Sequence, residues 1–444
     1  MIRCTTMFRR VITVKSRVSR IFALLVVIGL AFTMVPQALA ASAKPKEVRI
    51  GLLFPTSGGF SLLGTDQMKG AEMVLKWANS NGGINGVPIK IVYGDSASNA
   101  AAGATAAQRM IDNDKVNIII GSYSSGIAQA VMPVAQRNNV ILWEVGAVSP
   151  TVNSQGYSNF LRTVGVSKTY AAADYDFVTK FLAKKLGKKA TDLKIAIANN
   201  DGAFAASVGD AVKDLFVAKG MNIVAKEVYP ATSTDLTPLV LKLKAAAPDV
   251  LFLTPDAPDS LLFWQTAKTQ DFNVSALVGS SGIGGAGFVA KFGNAGVEGV
   301  YDVEAPALAS MNTSGLKSRV ADLTAQWVKD FALAMGHPCA VHCGDGIGGT
   351  YTLVTDVLPR ALRVSNSFSA SAIVSAASKT LIQDGGTPQG FGVQFTGTNS
   401  STVGENIKAK SVIMQWQGGA LKVVWPAALA TSTPSAPMKT WAQR

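Results

Sequence analysis

From Val48 onward, short β-rich runs alternate with amphipathic helices, and this alternation restricts the fold more than any other feature of the chain. Residues 48–54 read as a strand. Residues 64–80 read as a helix with Met68, Ala71, Val74, Leu75 and Ala78 on one face, and 89–93 as the next strand. Between them Asn81-Gly82-Gly83-Ile84-Asn85-Gly86 supplies the left-handed backbone that a helix stop and a tight turn require. Two further rounds follow, helix 100–111 with strand 116–120 and helix 127–137 with strand 140–145. The pattern is that of a parallel sheet covered on both faces, so an α/β fold is expected.

The alternation then starts again. Helix 169–186, strand 193–198, helix 204–219, strand 222–228, helix 236–246, strand 249–254, helix 260–269 and strand 274–278 make a second set. Two Rossmann-like, doubly wound lobes are therefore expected, joined by a multi-strand hinge whose crossings are read at 160–164, 301–307 and 391–395. Lobe 1 is assigned 47–164 plus 305–392, and lobe 2 165–304 plus 393–426. Residues 427–444 read as a C-terminal tail of low order, rich in Ala, Thr, Ser and Pro up to Pro437. Open α/β sheets bind ligands outside the carboxyl ends of their strands, so two facing lobes set two such edges around one cleft.

The first forty residues carry Arg3, Arg9, Arg10, Lys15, Arg17 and Arg20 and no acid, then an apolar run over 21–30 and Ala38-Leu39-Ala40. That three-part plan reads as a secretory signal peptide, 1–40, cleaved after Ala40. Thr33 and Pro36 interrupt the apolar stretch and argue against a retained membrane anchor. Loss of the segment's six bases takes the formal charge from +13 to +7. The remaining bases are scattered, except Lys184, Lys185, Lys188 and Lys189 near a predicted helix end, so no nucleic-acid partner is expected. Cys4 would be lost with the segment and no lipid-attachment cysteine follows the cleavage site, which implies a product free in the periplasm or outside the cell; a monomer is expected.

Several stretches occur in a telling order: Pro55-Thr56-Ser57-Gly58 with Gly64, Lys69-Gly70-Ala71-Glu72, the 82–86 turn, Gly121-Ser122-Tyr123-Ser124-Ser125 and Ala147-Val148-Ser149-Pro150. Their order and spacing resemble the type I periplasmic solute-binding proteins of ABC transporters, in the branched-chain amino acid (Leu/Ile/Val-binding-like) class, over roughly residues 48–426. The resemblance implies the periplasmic binding protein type I fold and a solute-binding role without catalysis or cofactor. It further implies capture of a small polar or carboxylate-bearing molecule, such as an amino acid or amide, by hinge closure, and delivery to an ABC permease and its ATPase. The same fold also serves periplasmic ligand-sensing modules that signal to a receptor or regulator, and the sequence does not separate the two.

Ser125 follows a buried strand and opens a helix, so its hydroxyl and the nearby amides suit either an anionic ligand group or an N-cap. The resemblance places a ligand carboxylate there. It also places Gly146 and Val148 where the family offers a backbone group and a threonine hydroxyl; Val148 keeps the amide and loses the hydroxyl. Phe204, at a strand-to-helix turn, matches an aromatic that closes over the ligand, with core packing as the alternative. Ser281 stands at the family's ammonium-binding acid, and a buried ammonium without an anion is costly. Glu144 ends an otherwise apolar strand at the cleft edge and is read as the missing negative charge or as a partner for a base such as Arg162. Tyr123 and Leu63, with Phe60 and Trp143, are read as apolar wall or as packing.

The run 282–287 fits a dinucleotide glycine pattern, but no strand with an acidic end follows at the needed distance, so it reads as a mobile cleft loop. Both histidines, His337 and His342, sit among Cys339 and Cys343. In an oxidising compartment the two cysteines are expected to form a disulfide, a metal site being the alternative. No histidine stands apart from that loop to activate a serine and no Gly-x-Ser-x-Gly elbow ends a strand, which argues against a hydrolase.

Overall fold

The computed structural model describes residues 44–397 and 402–444, so the segment read as an export signal, with Cys4, lies outside the described residues. The first sheet contains β1 (Val48–Phe54), β2 (Ile89–Asp95), β3 (Ile118–Gly121), β4 (Ile141–Glu144) and β5 (Phe160–Arg162). Its order is β2-β1-β3-β4-β5 and every pairing is parallel. The inner strands β1, β3 and β4 are buried on both faces, which is why they read as largely apolar runs, while the edge strand β2 leaves Lys90, Tyr93 and Asp95 exposed. The pleat sends Ile118 and Ile120 into one core with Val74 and Leu75 of α1 (Ser61–Ser80). It sends Ile119 into another with Met110 of α2 (Ala100–Asp112) and Val131 of α3 (Ser125–Arg137). Asn99 caps α2 by accepting the Ala102 amide at 3.0 Å.

The second lobe begins with α4 (Ser167–Phe177), β6 (Ile195–Asn200), α5 (Ala203–Ala218), β7 (Ile223–Tyr229), α6 (Thr237–Ala246), β8 (Val250–Thr254) and α7 (Ala257–Thr269). It continues through β9 (Ala276–Gly279), α8 (Ala286–Val297) and β10 (Tyr301–Glu304). After α9 (Ser318–Met335) and α10 (Val341–Thr352), the strands β11 (Val412–Gln417) and β12 (Ala420–Trp425) return to it. The sheet runs β12-β11-β10-β9-β8-β6-β7, parallel except where β11 pairs with β10 and β12. Ile195 and Ile197 pack with Val208, Val212 and Phe216 of α5 on one face. Ala196, Leu251 and Leu277 pack with Leu239, Phe263 and Phe288 on the other.

Four local expectations are corrected. The helix expected over 169–186 is interrupted by a wider turn at Val178–Leu182. Residues 391–395 form isolated bridges rather than a crossing strand: Val393 pairs with Ile382 and Phe395 with Asn406. Arg162 donates to the Gly404 carbonyl at 2.8 Å and Asn406 to the Arg162 carbonyl at 3.1 Å, so the chain leaves the first sheet only after Asn406. The Phe395 ring against Trp143, 5.5 Å between centroids, helps to hold this segment there.

The tail is also ordered, because it carries side chains that bury. The Trp441 ring lies 4.7 Å from that of Trp264 and donates to the Phe272 carbonyl at 2.9 Å, while Tyr301 donates to the Ser435 carbonyl at 2.6 Å. Finally, the glycine run 282–287 is packed rather than loose. A Cβ on Gly284 would stand 2.5 Å from the Asp302 carboxylate, and one on Gly282 would stand 2.5 Å from the Ala257 Cα.

Candidate functional site

β3 and β4 end side by side, Gly121 opposite Glu144, and the loops that follow them form the rim of the first lobe. Glu144 is fully buried. Its carboxylate accepts the amides of Ser122, Gly146 and Ala147, each at 2.8 Å, and the Ser122 hydroxyl at 3.1 Å. Burial pushes its pKa up to about 7, opposed by those donors. Arg162 pairs instead with Glu405 at 2.7 Å and donates to the carbonyls of Ala147 and Ser149 at 3.0 and 2.8 Å. Glu144 thus clamps the two rim loops, because three backbone donors converge on it, and it acts on Arg162 through its charge without an ion-pair contact.

Beyond that clamp lies a cavity lined by both lobes. From the first come Tyr123, Ser124 and Gly146 of the rim loops and His342 and Asp345 of α10. From the second come Tyr170 of α4, Phe204 of α5, Asp256 ahead of α7, Ser281 after β9 and Glu304 at the end of β10. The Tyr123 and Ser281 hydroxyls stand 3.5 Å apart across it, so the two lobes meet here. Glycines bring α10 close enough to contribute: Gly346 lies on the Gln67 carbonyl of α1, and Gly70 of α1 on the Cys343 carbonyl, with no room for a side chain at either place.

The lining holds three carboxyls and neither lysine nor arginine. Glu304 accepts the Ser281 amide on Oε1 at 2.9 Å, while its Oε2, also buried, has no hydrogen-bond partner. Asp256 accepts from Asn200 at 3.1 Å and shares a capping box with Asp259 at the start of α7. Asp345 accepts from Gln389 at 2.7 Å. Burial raises all three, Glu304 to about 8 and Asp256 to about 6, with the Asp259 charge adding to the latter and the Glu304 charge adding to Asp345. Burial lowers His342 to about 4, which leaves it neutral at pH 7.

Of the residues expected at the site, Tyr123, Gly146, Phe204 and Ser281 line the cavity, Phe204 packing edge-on to Tyr170 at 6.5 Å. Ser125, Val148 and Leu63 do not. Ser125 is fully buried and its Oγ accepts the Ser149 amide at 3.1 Å, leaving Ser124 to face the cleft. Val148 packs with Val164 and Tyr170 in an apolar core, and Leu63 is buried in another. Ser124, Tyr170, Asp256, Glu304, His342 and Asp345 were not anticipated as lining. Acids at the carboxyl ends of strands, such as Glu304, are the signal that would have found some of them.

Cys339 and Cys343 are joined, their Cα atoms 5.3 Å apart. The nearby histidines diverge: His337 lies 3.3 Å from Asp66, and the His342 ring 5.2 Å from that of Tyr123. No group of three or more His, Cys, Asp or Glu among the described residues is placed to hold a metal ion.

Two α/β lobes that present their strand ends to one shared cavity define a class of solute-binding proteins, and the chain belongs to the periplasmic binding protein family, whose model matches residues 47–419. That family is not enzymatic. The chain is 32% identical over 402 residues to Leu/Ile/Val-binding protein homolog 7 of Brucella abortus (strain 2308), covering 89% of this chain and 96% of that one. It is 31% identical over 405 residues to homolog 8 of Brucella suis biovar 1 (strain 1330), covering 90% and 95%. In fold it is similar to the leucine-binding protein LivK of Thermotoga maritima MSB8, with a TM-score of 0.71 at 20% identity over 86% of this chain and 98% of that one. It is also similar to LivJ of Streptococcus pneumoniae in complex with isoleucine, with a TM-score of 0.70 at 18% identity over 86% and 100%.

Proposed function

We propose that the protein is the extracytoplasmic solute-binding component of an ABC importer, exported by the segment 1–40, which captures a small polar molecule of amino-acid or amide type between its lobes. The observation that carries this reading is the cavity itself, lined by five residues from each lobe and closed by the Tyr123–Ser281 approach. A solute gripped from both sides binds the closed arrangement better than the open one and so shifts the molecule toward it. The hinge would run through the chain crossings after Arg162, Glu304 and Asn406. The relatives' names support an amino-acid-like ligand, and the amides opening α3 offer donors for a carboxylate. A permease would then receive the solute from the closed form. A thermal-shift screen of amino acids, amides and carboxylates identifies a solute, and solution scattering with and without it tests the closure.

A further inference from the structure

The cavity has an unbalanced charge inventory. Glu304, Asp345 and Asp256 reach it from three separate elements, and neither lysine nor arginine lines it. Glu144, also buried, is met by three backbone amides. In Glu304 one oxygen is held by the Ser281 amide and the other, buried, has no hydrogen-bond partner, as is also true of oxygens of Asp302, Asp174 and Asp66; of these four acids Glu304 is the one that lines the cavity. A buried carboxylate oxygen left without a donor is costly, and a ligand that supplies N–H donors removes the cost.

We propose that the cleft is built for a solute carrying a cationic nitrogen group beyond that of a plain aliphatic amino acid, such as a basic amino acid, a guanidino compound or a diamine, held by Asp345 of the first lobe and by Glu304 and Asp256 of the second. This rests on the solute-capture reading and narrows it. A zwitterion with an aliphatic side chain brings one cation to three carboxyls. A second cationic nitrogen answers a second carboxyl, and carboxyls placed on both lobes make that cation a bridge between them.

The groups around Glu304 bear on the same conclusion through their protons. Facing Glu304 are Asp302 on its own strand, Tyr170 of α4, Asp345 and His342 of α10, Tyr123 of the first rim and Asp256 ahead of α7, with no lysine or arginine among them. Burial holds Glu304 protonated to about pH 8, so a cation that pairs with it displaces a proton. Affinity for a cationic solute therefore rises between pH 6 and 8, and binding releases protons to the buffer.

The test is titration calorimetry on the exported protein, stripped of solute by reversible unfolding, with L-arginine, L-lysine, agmatine and putrescine beside L-leucine and L-isoleucine. The expected result is at least one cationic probe binding tenfold or more tighter than either aliphatic amino acid, with heats that differ between buffers of different ionisation enthalpy. Glu304→Gln and, independently, Asp256→Asn should each weaken that probe about tenfold or more. The half-buried Asp256 supplies the variant if Glu304→Gln does not fold. Leucine or isoleucine binding more tightly than every cationic probe overturns this proposal and leaves solute capture standing. Equal affinity of both variants and the parent for the best cationic probe overturns the assignment of these carboxyls. Binding by none of the six probes overturns it as well, and the wider thermal-shift screen then decides whether solute capture stands without it.

Discussion

Glu144 shows how one side chain acquires a role that its position in the sequence conceals. An acid closing an apolar strand at a cleft edge invites a ligand role, yet its oxygens are saturated by the loops beside it. Replacing it by glutamine puts an NH₂ group against backbone donors, so Glu144→Gln should lower the unliganded stability by about 1–3 kcal/mol. Urea unfolding measures this, and an unchanged midpoint would remove the clamp from the account. The residues legible in advance were those whose loops leave few choices: Tyr123, Gly146, Phe204 and Ser281 sit at strand-to-helix turns and reach the cavity. Ser125, the first residue of α3, and Val148, two positions past Gly146, follow the same two loops but are buried away from the cavity lining. Asp345 carried no local signal at all, because only the glycine-lined contact of α10 with α1 brings it to the cleft.

At the level of elements, the strands were legible because burial on both faces writes itself as runs of Val, Ile and Leu, and the helices because their apolar stripes recur at helical spacing. The tail misled for the opposite reason. Its composition from Pro426 to Pro437 is that of a loose segment, while its two anchors, Met438 and Trp441, come afterwards and act only through tertiary contact. Arg444 adds to them, its guanidinium 5.2 Å from the Trp264 ring and 5.1 Å from that of Trp441. Trp441→Ala should cost about 1–3 kcal/mol, less than truncation of a fully buried tryptophan because part of the ring meets solvent. A melting temperature identical to the parent's would show that the tail is merely laid on the surface. The third crossing was misplaced because the segment beside β5 is held by single bridges, which leave no periodic pattern to read.

The molecule as a whole buries several acids, Glu304 and Asp345 in the cavity lining and Glu144 in the clamp beside it, and that sets its response to pH. Glu144 and Glu304 titrate near 7 and 8 in the fold and near the ordinary glutamate value of 4.5 when unfolded, so in between the folded state holds more protons. Stability from these groups is full below about pH 4.5 and is lost as pH rises through 7 and 8. His342, lowered to about 4, has the opposite sign but acts only between about pH 4 and 6.5. From pH 6.5 to 8 the acids act alone, and the melting temperature of the solute-free protein should fall across that window. A rise there would contradict the protonated cleft.

The central claim is that two lobes close on a solute held between them. Small-angle scattering of the exported protein, first stripped of solute and then saturated with one found by thermal shift, tests it most directly. The radius of gyration should be smaller with solute, approaching that of the closed arrangement in which Tyr123 meets Ser281. The same radius in both samples would contradict it.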